Sequence, residues 1–199
     1  MPTPIGHGLL GAAVLAAFPL KRNALPDWRI CLLGVLLGAA PDLDCLLGFL
    51  PFAPFAGRGW HHDFTHSLGF ACLCGCLLAL CVRGGGPVLG VPQMRAALLF
   101  SAAMATHPLL DFLFTDSVGV ELFWPFAHQY VRLGLPSPTA FAWNRATPLG
   151  HLVDMAQVAL LDFAIYGSVF LLAWLLRQLS WGGWATMRTL VEVELNAEK

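Results

Sequence analysis

The sequence predicts an all-α fold: a polytopic membrane bundle of about five apolar helices with a polar site on one side. Three observations carry this. Of the 199 residues, 57% are hydrophobic and only 12% charged, about half the charged share of an ordinary soluble domain. Five apolar runs of roughly helical length follow one another along the chain. The ionisable residues inside or beside those runs are mostly His and Asp, at run ends that antiparallel packing brings to one side.

The runs cover residues 5–20, 30–50, 68–82, 96–114 and 155–176. A full membrane span needs about 20 residues, with a range of roughly 17 to 25. The fourth and fifth runs meet this. The first and third are marginal, and are either tilted or buried among the others. The second contains Pro41-Asp42-Leu43-Asp44, so it is no plain lipid-facing helix. A carboxylate at mid-membrane costs at least about 2.5 kcal/mol, and proline removes a helical hydrogen bond. A helix from Ile30 to about Ala40 is expected there, then a break, then a re-entrant or interfacial stretch to Ala56. Residues 1–180 form the membrane-embedded body. Residues 181–199 read as an interfacial helix or cytoplasmic tail. The loop between Asp116 and Gly150 is long and rich in Pro, Gly and aromatics, and long ordered loops are often functional.

A secretory signal would place basic residues before its apolar stretch. Met1 to Leu10 contain none, so the first helix is expected to be retained. Lys21, Arg22, Arg29, Arg83, Arg95, Arg177, Arg188 and Lys199 fall on one side of the alternating chain, and Arg58, Arg132 and Arg145 on the other. The excess marks the cytoplasmic side, which leaves the polar site on the non-cytoplasmic side. The formal net charge of -1 offers no basic surplus for phosphate neutralisation, so nucleic acid is not expected as a partner. The six cysteines lie in or beside apolar runs. They read as packing residues rather than a disulfide framework.

On the up-and-down chain, His7, Asp42, Asp44, His61, His62, His66, His107, Asp111 and Asp116 all fall at one end, with His151 and Asp154. Imidazole and carboxylate are ligands of zinc, manganese and iron. His107 and Asp111 are four apart on one helix face, a two-point clip inside an apolar helix where neither belongs without a partner. His62 and His66 share that spacing if the helix begins early, whereas His61 and His66 need a preceding loop. Asp42 and Asp44 diverge in a helix, but in an extended turn they point one way or serve two metals. Any one of these residues alone can be a cap or a satisfied core group. His128 reads as a loop residue, and Asp162 as a lone intramembrane carboxylate that supports the site from behind.

Five segments in order carry a family resemblance: Met1-Pro-Thr-Pro-Ile-Gly-His7, Pro41-Asp-Leu-Asp44, His61-His-Asp-Phe-Thr-His66-Ser67, His107-Pro-Leu-Leu-Asp111, and Thr115 through Gly119 to Trp124-Pro125-Phe126. Over roughly residues 1–126 the chain resembles the YdjM family of inner-membrane, metal-dependent hydrolases, also described as LexA-binding. The ligand order is distantly similar to zinc-dependent phospholipase C and the P1-type nucleases. The resemblance implies shared polar positions at His7, Asp42, Asp44, His61, His66, His107 and Asp111. It also implies one departure: His62 stands where the family usually has Arg. There it is either a weaker, pH-dependent anion clamp or an extra ligand.

The expected function is hydrolysis at the membrane interface, assisted by one or two divalent ions. Zinc is the first choice, with manganese or iron as alternatives. Asp44 or Asp116 would serve as general base, and a phosphoester, small molecule or membrane lipid as substrate. The rivals are an ion or proton transporter, for which Asp162 would line the path, and a non-catalytic scaffold that binds a protein partner through residues 181–199.

Overall fold

The computed structural model describes residues 2–18, 28–49, 61–82, 92–115, 119–139 and 147–197. Asp116, Arg58 and the glycine run before Pro87 lie outside them. The described chain folds into α1 (Pro4–Ala17), α2 (Trp28–Ala39), α3 (Leu68–Cys81), α4 (Gln93–Phe114) and α5 (Pro148–Ala197), with 3-10 segments over Ala40–Phe49 and Phe64–His66. No β-strand occurs among the described residues. An antiparallel bridge pairs Val120 with Val131.

Each start and stop has a local cause. Pro4 fills the first turn of α1, where its missing N–H is no loss. Thr3 caps that turn by accepting the Ile5 N–H at 3.3 Å. The Asp162 carboxylate accepts the Thr3 N–H across the bundle, placing negative charge at the positive end of the α1 dipole. α2 stops at Ala39 because Pro41 has no N–H and disfavours α geometry at Ala40. The chain tightens into a 3-10 helix there, instead of the extended turn expected from sequence. α3 begins at Leu68, capped by the Ser67 hydroxyl on the Phe70 N–H at 3.0 Å. His62 therefore lies outside any helix, and the helical pairing of His62 with His66 does not form.

Five apolar helices were expected, and five α-helices occur among the described residues. Not all five can be spans: the first and third runs, marginal by length, form helices too short to cross, and the fourth and fifth reach the required length. Among the described residues only Gln93–Phe114 and Leu152–Ser180 are long and apolar enough to cross a membrane. At 1.5 Å per residue, a 14-residue helix such as α1 or α3 rises only about 21 Å, short of a hydrocarbon core of about 30 Å. α5 continues without a break past Ser180 to Ala197, so the segment read as a tail begins as a prolongation of that helix. Along Leu152–Ser180 only 17% of the most apolar window is buried within the chain. Leu160, Phe163, Leu172 and Leu179 stand outward, as lipid-facing residues should.

α1 packs on α2, α4 and α5, while α3 packs on α4. α1 and α2 approach through glycines: Gly8 and Gly11 on one helix, Gly34 and Gly38 on the other. A methyl carbon at Gly34 would lie 2.6 Å from the Ala12 Cα. Small residues three or four apart allow this backbone-to-backbone contact, a common device where helices pack in lipid. A core of Leu15, Ile30, Leu37, Ala79, Ala96, Phe100 and Ala103 fills the bundle. Along α1 and α4 its residues lie toward the ends remote from His7 and Asp111.

Candidate metal centre

Four chain segments deliver polar side chains to one place. His7 comes from the first turn of α1, and His107 and Asp111 from the last two turns of α4. Asp42 and Asp44 come from the 3-10 segment after α2, and His61, His62 and His66 from the approach to α3. His7, His66, His107 and Asp111 are fully buried.

The His7 and His107 rings stack with centroids 3.7 Å apart. His7 Nε2 lies 3.4 Å from Asp111 Oδ1. His107 Nε2 lies 3.4 Å from Asp111 Oδ2 and 3.4 Å from Asp42 Oδ1. His66 Nε2 lies 3.6 Å from Asp111 Oδ2 and 3.8 Å from Asp42 Oδ1. These contacts are too long or too oblique to be hydrogen bonds. Both nitrogens of His7, the Nε2 atoms of His66 and His107, both oxygens of Asp111 and Oδ2 of Asp42 are buried without a hydrogen-bond partner. Native proteins rarely leave such groups unpaired, since each costs about 1–3 kcal/mol.

A divalent ion would answer this deficit. For metal–ligand bonds of about 2.1 Å, the edge of a tetrahedron is about 3.4 Å, the spacing of three of the contacts above. The donor set is mixed imidazole and carboxylate, apt for zinc and acceptable to manganese or iron. His7, Asp42 and His107 each offer one ligand atom, all within 4.8 Å of one another; His66, His107 and Asp111 do the same. The residues present fit the group.

The surrounding atoms fix ring orientation, as partners behind metal ligands do. His107 Nδ1 donates to the Gly38 carbonyl at 2.7 Å, which turns Nε2 toward the carboxylates. Asp44 is itself satisfied: its Oδ2 accepts the Thr65 hydroxyl at 2.7 Å and sits 3.3 Å from His66 Nδ1. Its Oδ1 meets His61 Nδ1 at 2.9 Å. Burial works to raise the Asp44 carboxyl, but the bonds from His61, His66 and Thr65 hold it below the usual carboxylate range. Asp42 follows the same pattern: burial raises it, and His107 and His66 more than offset that. His66 moves up, because Asp42 and Asp44 outweigh burial.

His62 adopts a left-handed backbone with φ of 81°, rare for a side-chain-bearing residue. Its carbonyl accepts the Glu121 N–H at 3.1 Å, and its Nε2 is buried and unpaired. Burial pushes its imidazole down to about 4. At pH 7 the ring is neutral, which suits a ligand better than an anion clamp. The loop over residues 119–139 closes this end of the bundle. Leu133 and Leu135 donate to the Phe112 and Leu113 carbonyls at the α4 terminus, each at 2.7 Å, and Tyr130 bonds the Asp63 carboxylate. Gly119, at φ of 107°, lets the loop cross Val131; a methyl carbon would sit 2.7 Å from the Val131 oxygen.

Residues 1–187, most of the chain, match the family described as YdjM inner membrane protein. The chain belongs to that family. Among curated proteins it is similar to the inner membrane protein YbcI of Escherichia coli (strain K12), at 29% identity over 161 residues, covering 79% of this chain and 89% of the relative. No solved structure matches it. The matched YdjM region runs from the capped start of α1 into the far part of α5, so it contains every residue of the cluster.

Sequence reasoning named the ligand-type residues but missed what aims them. Gly38 and Thr65 carry no metal-binding signature. The Gly34-x-x-x-Gly38 spacing, a mark of close helix contact, was the available signal for the first. His128 lies apart from the cluster, largely exposed and 3.6 Å from Glu121. Asp162 is fully buried and holds the start of α1 instead of a ligand ring.

Proposed function

We propose that this YdjM-family chain is a metal-dependent hydrolase working at the membrane interface, on the non-cytoplasmic side. The observation that supports it most is the set of imidazole and carboxylate atoms at 3.4 Å spacing, most of them buried without a hydrogen-bond partner. His7, Asp42, His107 and Asp111 would hold the ion. When bound, a divalent ion there acts as a Lewis acid and brings the pKa of a coordinated water to about 7.

The chain's own groups do the rest. Gly38 and Asp44 hold the His107 and His66 rings in register. Asp44 is committed to Thr65, His61 and His66, which makes it a positioning residue; Asp116, the other carboxylate expected as general base, lies outside the described residues. The loop over residues 119–139 is bonded to the α4 terminus and to His62 at the same end. Apolar helix faces alongside suit a substrate with acyl chains, and a phosphoester or lipid-like molecule is the class proposed.

The ionisable groups favour hydrolysis over transport. Among the described residues, the histidines and most of the aspartates gather at one end, whereas a transporter needs polar groups at the midplane and at both faces. The test is to purify the protein in detergent, count bound metal, and assay chromogenic phosphate mono- and diesters alongside His107→Ala and Asp111→Ala. The wild type should carry metal and cleave an ester, and both variants should lose metal and activity. Equal metal content in all three proteins would end the proposal.

A further inference from the structure

Two shared carboxylates and five imidazoles exceed what one ion employs, since a zinc ion is usually satisfied by four ligands. The imidazoles fall into two sets. His7 and His107 form one, stacked on each other. His61, His62 and His66 form the other, with ring centroids 4.3 to 5.1 Å apart and one ligand atom from each within 4.8 Å of the others.

Both sets meet the same carboxylates. Asp42 Oδ1 contacts His107 in the first set. It also contacts His66 and His61 in the second, at 3.8 and 3.9 Å. Asp111 spans them likewise, with Oδ1 toward His7 and Oδ2 toward His107 and His66. In the second set, Asp44 bonds the Nδ1 atom of His61 at 2.9 Å, and the Thr65 hydroxyl bonds that of His66 at 3.1 Å with Asp44 close behind it, which leaves both Nε2 atoms toward Asp42. His62 completes the group. It is held in a left-handed conformation that an L side chain seldom adopts, and its buried Nε2 has no hydrogen-bond partner. Strain of this kind persists where the surroundings enforce it.

We infer that His61, His62 and His66 hold a second divalent ion, with Asp42 and Asp111 shared between it and the ion at His7 and His107. The inference rests on the metal reading above and sharpens its substrate class. Paired ions about 3.5–4 Å apart clamp the attacking and leaving oxygens of an in-line displacement at phosphorus, so a phosphoester is favoured over a carboxylic ester.

Stoichiometry tests it without any substrate. The detergent-solubilised full chain is stripped with chelator, equilibrated with Zn2+, freed of loose ions by gel filtration and analysed for metal. Two ions per wild-type chain are expected, and one per chain in His62→Gly, which keeps the left-handed backbone accessible. One ion in the wild type overturns the second site but leaves the hydrolase proposal standing; none overturns both. Two ions in both proteins overturn the assignment to His62. Should His62→Gly fail to fold, Mn2+-loaded wild type decides by electron paramagnetic resonance. Exchange-coupled manganese is expected, and isolated Mn2+ alone refutes the pair.

Discussion

Gly38→Ala joins helix packing to the metal centre in one substitution. The added methyl carbon would fall onto the His7 carbonyl oxygen, 3.0 Å from the His7 carbonyl carbon and 3.1 Å from the Gly8 Cα. All three are backbone atoms of α1, and none can swing aside. Carbon atoms rest comfortably at about 3.5–4.0 Å, so α1 and α2 must part by something on the order of 1 Å. Overpacking of this kind costs about 1–3 kcal/mol, and two rigid backbones put it at the upper end. The same movement carries His7 with α1, and shifts the Gly38 carbonyl that holds His107 Nδ1. Loss of such support typically weakens metal binding by about 10- to 100-fold. The assay is Zn2+ affinity by chelator competition in detergent, with thermal unfolding followed alongside. Gly167→Ala is the control: its methyl group meets only Leu9 Cδ1 at 4.0 Å, and alanine gains up to about 1 kcal/mol in helix propensity. If Gly38→Ala keeps wild-type affinity and unfolding temperature, the close α1–α2 contact and its control of the site are wrong.

Asp44→Asn keeps the shape but removes the charge facing His61 and His66. Zn2+ affinity should fall by about 10- to 100-fold, and an unchanged value would return Asp44 to the pool of general bases. Metal loading should also depend on pH in one direction. Protons compete with the ion for imidazole nitrogen, and His66 sits above its ordinary value of 6.5. Loading is therefore full at alkaline pH and begins to fall before acidification reaches 6.5; flat loading between pH 8 and 5 would contradict this. Gly119→Ala strains the left-handed turn and strikes the Val131 carbonyl. It should loosen the 119–139 loop, seen as faster proteolytic cleavage there at unchanged helix content.

The sequence by itself determined the helical, membrane-bound character, because composition and run length are local properties that each apolar segment carries alone. It also named the ligand-type residues: an imidazole or carboxylate inside an apolar run stands out without knowledge of its neighbours, and antiparallel chain direction places His7, Asp42, His66 and Asp111 at one end. Tertiary structure decided the rest. Whether the ends of α1, α2 and α4 meet within metal-ligand distance depends on glycines whose value lies in the opposing backbone. Gly38 is important because His7 and His107 are across from it, 31 and 69 positions away in the chain. Asp44 looked equivalent to Asp42 in sequence, yet the 3-10 turn after Pro41 gives Asp44 the Thr65 hydroxyl and leaves Asp42 Oδ2 buried without a hydrogen-bond partner. Run length marked five hydrophobic segments, but the α-helices of the first three end after 12 to 14 residues. Where a helix stops depends on caps and prolines, and what it packs against depends on residues far away in the chain.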